Sequence, residues 1–346
     1  MKPEDYNYHL PQELIAHAPA SPRDAAKLFI YSTKTNEVVV DSFAHLARYL
    51  PADSLLVLND TQVVPARLEL LKLTGGSVRV LFLVNEWDKK GPIKGLPDRK
   101  LSVGDQLYFN HHAILDVIDQ KNEEFSFRLH ISVEEFEKLC QSHGQTPLPP
   151  YINTSLNEKD ARSEYQTVFA AKPASIAAPT ASLHFTENVF KSLREKGIEQ
   201  TNVTLHVGRG TFSPLTPESI KANKLHSEPV QVSGESAIKI NKAKKEGRVV
   251  ISSGTTATRT LESTAEYILK NEGYTGDTSL MISVPYKFQI VDAMITNFHL
   301  PNTSLLMMVD AFLKYKGAKK NWRELYETAI REKFSFYSFG DAMLII

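Results

Sequence analysis

The feature that most limits the fold is a change of texture in the middle of the chain. Ser54-Leu55-Leu56-Val57-Leu58 is a short continuous apolar run, the pattern of a strand covered on both faces. From about Ala66 to Thr146 the segments become short and partly alternate polar with apolar, over residues 67–73, 77–84, 106–109, 113–118 and 125–131. Thr74-Gly75-Gly76 supplies a hairpin turn between the first two. Short strands at this spacing predict a small antiparallel barrel. Residues 87–100, with Gly91-Pro92 and Leu96-Pro97, read as an exposed loop, and Pro147-Leu148-Pro149-Pro150 as a stiff return. Helices and strands then alternate. Thr186 caps a helix that Gly197 closes, strands are expected over 202–207, 248–251 and 279–284, and helices over 257–270, 304–313 and 322–331. The expected architecture is a larger α/β sandwich domain with a mainly parallel sheet, residues 1–65 and 148–346. A small antiparallel β-barrel insert, residues 66–147, interrupts it.

Composition narrows the classes of function. With 346 residues, 42% hydrophobic and 23% charged, the chain reads as a soluble globular protein with room for two domains. Cys140 is the single cysteine, so neither an internal disulfide nor a cysteine-based zinc site is expected, which fits a reducing cytoplasm. Met1-Lys2-Pro3-Glu4-Asp5-Tyr6 leads into no apolar run, so no secretory signal is read there. The apolar stretches fall far short of the roughly 20 residues of a membrane helix. A net charge of +0 gives no argument for nucleic acid. Two basic clusters stand out locally: Lys239, Lys242, Lys244, Lys245 and Arg248, then Lys314, Lys316, Lys319, Lys320 and Arg323. Each is either a solvated helix face or a phosphate-binding surface.

Four motifs can carry chemistry. Ser252-Ser253-Gly254-Thr255-Thr256 joins a strand to a helix, where backbone N–H groups and the helix dipole favour a carboxylate or phosphate. It has the glycine spacing of neither a Walker loop nor a dinucleotide fingerprint. His206-Val207-Gly208-Arg209-Gly210-Thr211-Phe212 ends a strand in a glycine turn beside a histidine able to move protons near neutral pH. Ala177-Ala178-Pro179-Thr180-Ala181-Ser182-Leu183-His184-Phe185 surrounds one histidine and one aromatic with small residues. Asp292-Ala293-Met294-Ile295-Thr296-Asn297-Phe298-His299 sets Asp, Asn and His in an apolar context. Each has a plain structural reading as well: a capped βα turn, a core histidine, tight packing, or a satisfied polar network.

Taken together and in this order, the motifs resemble the S-adenosylmethionine:tRNA ribosyltransferase-isomerase family of queuosine biosynthesis. The resemblance also rests on Tyr8-His9-Leu10-Pro11-Gln12-Glu13-Leu14, Leu58-Asn59-Asp60-Thr61, Pro65-Ala66-Arg67-Leu68, Arg259-Thr260-Leu261-Glu262-Ser263 and Ser338-Phe339-Gly340-Asp341-Ala342-Met343. It runs nearly end to end. The chain departs from the family pattern at Gln62, where arginine is usual, at Ala174 and Ser182 for glycines, at Asn223 for histidine and at Asp310 for serine.

The resemblance implies a cytoplasmic enzyme, acting as a monomer, with S-adenosylmethionine as co-substrate and no metal. Its RNA partner would be the anticodon arm of a tRNA carrying a deazaguanine base. Asp60 and Asp292 are then expected to supply the field for a sulfonium and an ammonium, and His184 and His206 to move protons. Arg259 and the turn Gly254-Thr255-Thr256 are expected to hold a carboxylate or phosphate, and Phe185 or Phe212 to stack on a base. Thr61, Arg67, Thr180, Gly208, Gly210, Thr211, His226, Asn297 and His299 complete the expected substrate contacts. A tRNA substrate would also give the 314–323 cluster a role against the anticodon arm. Two other readings stand beside this one: a relative acting on another RNA or a free base, and a non-catalytic tRNA- or adenosine-binding protein. A generic methyltransferase lacks support, because no glycine-rich loop follows the first strand.

Overall fold

The computed structural model describes residues 3–149, 151–152, 156–208 and 217–346. A nine-stranded sheet organises the larger part. Its order is Tyr274–Leu280, Lys224–Val232, Glu199–Leu205, Leu55–Asn59, Val250–Ser253, Ala293–Asn297, Ala342–Ile345, Lys27–Ser32 and Glu37–Ser42. The four strands from 199–205 to 293–297 are parallel. The sheet is mixed rather than mainly parallel: the edge pairs are antiparallel, and 342–345 runs antiparallel to 293–297 but parallel to 27–32.

The apolar run at the centre explains why this sheet has helices on both faces. All five residues of Leu55–Asn59 are buried, and successive side chains alternate between faces. Leu55 and Val57 join one core with Ala257, Leu261, Met308 and Phe312. Leu56 and Leu58 join the other with Val189, Phe190 and Leu193. Each such side chain contributes about 1.5–3 kcal/mol when fully buried. No described helix is long and apolar enough to cross a membrane.

The middle segment closes as a six-stranded antiparallel barrel: Arg67–Lys72, Ser77–Phe82, Ile93–Pro97, Gln106–Phe109, His112–Lys121 and Glu124–Leu129. Residues 87–100 are therefore not all loop. Ile93–Pro97 pairs with both Ser77–Phe82 and Glu124–Leu129 and is needed for closure. Gly95 looked like a loop residue, yet a Cβ there would lie 2.8 Å from Val80 Cγ1, so glycine permits close packing inside the barrel. Two other expectations shift. The helix over 257–270 is two, Thr255–Ser263 and Ala265–Leu269, with Thr264 Oγ1 donating back to the Thr260 carbonyl at the break. The strand expected over 279–284 is Tyr274–Leu280, an edge strand whose half-exposed pattern carries little apolar signal.

At the C-terminal end of the central strand, the Asn59 amide joins three elements. Its Nδ2 donates to the Leu205 carbonyl and to Thr256 Oγ1, both at 3.1 Å, and its Oδ1 accepts from the N–H groups of Leu205 (3.0 Å) and Thr61 (3.2 Å). The chain adds Glu199–Leu205 on one side of the central strand and later Val250–Ser253 on the other, so this is a switch point of the kind at which open α/β sheets bind ligands. Asn59→Leu strands three buried backbone groups and should cost about 3 kcal/mol or more, at roughly 1–3 kcal/mol per unsatisfied group. Urea denaturation measures it; stability within experimental error of the parent would show that the junction does not need the amide.

Candidate functional site

Three of the four motifs converge on one cavity above this junction. Its lining includes Ala178, Pro179, Thr180 and Ala181; Gly254, Thr255 and Thr256; Thr296, Asn297, Phe298 and His299; and Tyr151, Tyr337 and Ser338. Its space for water-sized occupants measures about 50 Å³, and one side is open to solvent. Gly254 opens the helix Thr255–Ser263 with φ of 90°, a conformation that favours glycine, and no side chain caps it. The first helical turn thus presents backbone N–H groups and the positive end of the dipole to the cavity.

The opposite wall is a polar chain. Thr180 Oγ1 donates to Asn297 Oδ1 at 2.8 Å, and Asn297 Nδ2 donates to the Gly340 carbonyl at 3.2 Å. His299 Nε2 lies 2.8 Å from Thr296 Oγ1. Tyr326 and Tyr8 fix the His299 backbone on either side: its N–H donates to Tyr326 Oη and its carbonyl accepts from Tyr8 Oη. Burial pulls the pKa of His299 down to about 3, so the ring is neutral at working pH.

A second group sits at the neighbouring strand end, linked to the cavity through Asn59. Thr61 Oγ1 lies 2.8 Å from His206 Nδ1, and Thr204 Oγ1 donates to Asp60 Oδ1 at 2.6 Å. His206 is half-buried; burial lowers its pKa, and the charge of Asp60 opposes that shift. Neither His206 nor Asp60 lines the cavity itself. Gly208 follows, its N–H donating to Glu228 Oε1 at 2.9 Å. Gly210, Thr211 and Phe212, expected at this turn, lie outside the described residues, as does Pro150.

Other expected site residues lie elsewhere, each for a physical reason. Arg259 is only 2% exposed and forms a buried ion pair with Glu228 while Nε donates to the Leu280 carbonyl. It braces the turn after His206 rather than facing a ligand in the cavity. Its neighbour Glu262 is likewise internal, accepting from the backbone N–H groups of Gln289, Ile290 and Val291. Asp292 stands at the entry of the strand Ala293–Asn297, paired with Lys244 at 2.8 Å. Asn297, at the strand's other end, is in the cavity, so Asp292 is about 15 Å away at the usual rise per residue. Phe185 is fully buried between Phe43 and Phe190, with no face left for a base. His184 lies behind the cavity against Phe43, 4% exposed, and burial lowers its pKa to about 4. His226 is exposed in a separate cleft between the barrel and the sheet edge, with Trp87 and Asp277. Arg67 begins the first barrel strand, its backbone exchanging hydrogen bonds with Gln145.

The basic clusters are also displaced. Lys316 Nζ donates to the Asp292 carbonyl, Lys244 pairs with Asp292, and Lys239, Lys242, Arg248 and Lys314 have acidic partners. Arg323 lies over Trp322 and binds the Asn7 carbonyl. Both clusters gather around the end of the sheet opposite the cavity, as solvated and paired helix faces.

Sequence reasoning assigned no role to Tyr151, Tyr337 or Ser338. Their signal was weak, because they become neighbours only through tertiary structure. Tyr337 has φ of 73°, an outlier for a bulky side chain that costs about 1–3 kcal/mol.

With this geometry in view, comparison with known proteins is specific. The profile of the family described as queuosine biosynthesis protein matches residues 3–345. A protein of Carboxydothermus hydrogenoformans named S-adenosylmethionine:tRNA ribosyltransferase-isomerase is 41% identical, over the whole of both chains. One of the same name from Fusobacterium nucleatum is 41% identical over 99% of this chain and 96% of its own. The crystal structure of a Thermotoga maritima S-adenosylmethionine tRNA ribosyltransferase is 30% identical, covers 99% of this chain and 100% of its own, and superposes with a TM-score of 0.56. An α/β enzyme with an inserted barrel and a polar cavity at the ends of its parallel strands is the class this structure defines. The chain belongs to the queuosine biosynthesis protein family.

Most departures from the family pattern now have a structural account. Asp310 accepts from Tyr6 Oη and pairs with Lys314, both at 2.9 Å, tying the N-terminal segment to the helix Ser304–Tyr315. Asn223 has φ of 50°, which asparagine tolerates. Ser182 Oγ lies 2.8 Å from Ser253 Oγ, filling a buried site. Nothing in the structure explains Gln62.

Two outcomes follow from these placements. Arg259→Met removes one partner of the buried Glu228 carboxylate and should destabilise by about 3 kcal/mol or more. Denaturation together with steady-state kinetics separates the roles: normal stability with a raised KM would make Arg259 a ligand contact after all. Stability should also depend on acid. His184 and His299 have folded pKa values below their unfolded value, so the stability they contribute is complete above about pH 6.5 and falls as pH drops toward 4 and 3. The slope expected near pH 5 is about 1.4 kcal/mol per pH unit for each histidine. His184→Gln should remove about half of it, and an unchanged slope would refute its share.

Proposed function

We propose that this chain transfers the ribosyl unit of S-adenosylmethionine to the aminomethyl group of a 7-deazaguanine base in the tRNA wobble position. The product is epoxyqueuosine, and adenine and methionine are released. The observation that carries this reading is the convergence of three motifs of the family in one cavity at the strand ends. The names of the relatives at 41% identity support the same activity.

The chemistry sets the tasks. The sulfonium is already a good leaving group, so the step needs no metal. The substrate amine must lose a proton to become a nucleophile, rearrangement of the sugar needs further proton removal, and adenine leaves more readily when protonated. The N-terminus of the helix Thr255–Ser263 suits the methionine carboxylate. His206, whose pKa is lowered by burial, is unprotonated near neutrality and serves as the proton acceptor, while Asp60 stabilises the cation formed. His299, Thr296, Asn297 and Thr180 offer neutral hydrogen-bonding groups to the sugar and base. Action as a monomer, in the cytoplasm, is part of the same reading. The tRNA approaches from the cavity side, away from the 314–323 cluster.

The test is turnover with S-adenosylmethionine and tRNA bearing the aminomethyl-deazaguanine base, followed by nucleoside mass analysis. Epoxyqueuosine is expected. Adenine release without it would point to another acceptor, and binding without turnover to a non-catalytic protein. His206→Gln should lower kcat by about 100-fold or more. In the parent enzyme kcat/KM should rise with pH through the His206 pKa, below the usual 6.5 or so, and level off above it. That limb should vanish in the variant; full kcat would remove His206 from the mechanism.

A further inference from the structure

We infer that Tyr337 is the surface on which a planar purine-type ring stacks in the cavity, an assignment that rests on the proposed reaction and adds a recognition residue to it. The two phenylalanines expected for this task do not supply it: Phe185 is fully enclosed, and Phe212 lies outside the described residues. Three aromatic residues line the cavity among those described: Tyr151, Phe298 and Tyr337. Phe298 is fully buried, its ring packed against Phe29, Tyr326, Phe334 and Phe336. Tyr151 is anchored by its hydroxyl, 2.5 Å from Ser338 Oγ, and meets Tyr337 edge-on at 5.0 Å. Tyr337 is half-buried, packs one side against the main core, and its hydroxyl has no hydrogen-bond partner among the described residues.

The turn that carries Tyr337 is held from several sides. The Tyr337 N–H donates to the Phe298 carbonyl at 3.1 Å, and the Gly340 N–H returns to the Tyr337 carbonyl at 3.0 Å. Asn297 Nδ2 holds the Gly340 carbonyl, and the Asp341 carboxylate accepts from the N–H groups of Ser335 and Lys27, each at 2.7 Å. Gly340 has no room for a side chain, since a Cβ would sit 2.4 Å from the Phe336 carbonyl carbon. These bonds impose φ of 73° on residue 337. Glycine would meet that requirement without strain. A tyrosine held there against its own backbone preference, beside a cavity, indicates that the ring is used. Aromatic faces stack on any base, so the ring bound is either the adenine of S-adenosylmethionine or the deazaguanine of the tRNA.

The test compares Tyr337→Phe, Tyr337→Leu and Tyr337→Gly. Calorimetry gives Kd for S-adenosylmethionine and for S-adenosylhomocysteine, which keeps adenine without the sulfonium charge; steady-state assays give KM for tRNA. The glycine variant matches the backbone angle and should keep the parent Tm, which separates loss of the ring from loss of the fold. Phenylalanine should preserve binding, while leucine and glycine should weaken the stacked ligand by about fivefold or more. Weakening of both adenosyl ligands assigns the ring to adenine; a rise confined to KM for tRNA assigns it to the deazaguanine. Weakening of S-adenosylmethionine alone would mean a contact to the cation and would overturn stacking. Unchanged constants in an active enzyme would also overturn it. A parent protein that binds neither substrate would instead reject the proposed function.

Discussion

The amide of Asn59 is the interaction on which the site depends. Parallel strands end with unpaired backbone groups, and a ligand site placed there needs those ends held without filling the space above them. One planar side chain with two donors and an acceptor of two lone pairs does this. It binds the backbone of Leu205 on one side, Thr61 after its own strand, and the hydroxyl of Thr256 on the other. The cavity and the His206 group are thereby fixed to a common point, although they belong to different strands.

Around that junction, buried charge has a bracing role. The Arg259 and Glu228 pair steadies the Gly208 turn, and Glu262 gathers three backbone N–H groups of the 289–291 segment. In Arg259-Thr260-Leu261-Glu262-Ser263 the two charged residues thus shape the cavity surroundings without entering the cavity. The reason lies in the helix itself: Thr255–Ser263 points its first turn at the cavity and buries its later turns between the sheet and the edge strands. Charges along such a helix must find internal partners.

The fold was largely legible because binary patterns act locally. The central apolar run, the barrel strands with their half-alternation, and the cap at Thr186 all report on backbone groups a few residues away. The misread segments are those where a distant partner overrode the local signal. Ile93–Pro97 is a strand because the barrel closes through it, and Tyr274–Leu280 is a strand because an edge was available to pair with. The site was legible only in outline. Residue type does not say which end of a strand a side chain occupies, so Asp292 read as well as Asp60, although the strand Ala293–Asn297 separates it from the cavity. Phe185 likewise looks like any free aromatic until its neighbours Phe43 and Phe190 enclose it.

The sequence by itself determined the two-part architecture, the family and the motifs Gly254-Thr255-Thr256 and Thr296-Asn297-Phe298-His299, since each depends on spacing within a short stretch. Tertiary structure alone decided which motif residues share a cavity, turned Arg259 and both basic clusters into internal or far-side partners, and brought Tyr151, Tyr337 and Ser338 to the wall. The physical reason is that burial and charge pairing are properties of neighbours in space. Residues more than a hundred positions apart, such as Asn59 and Leu205, meet only when the sheet has formed.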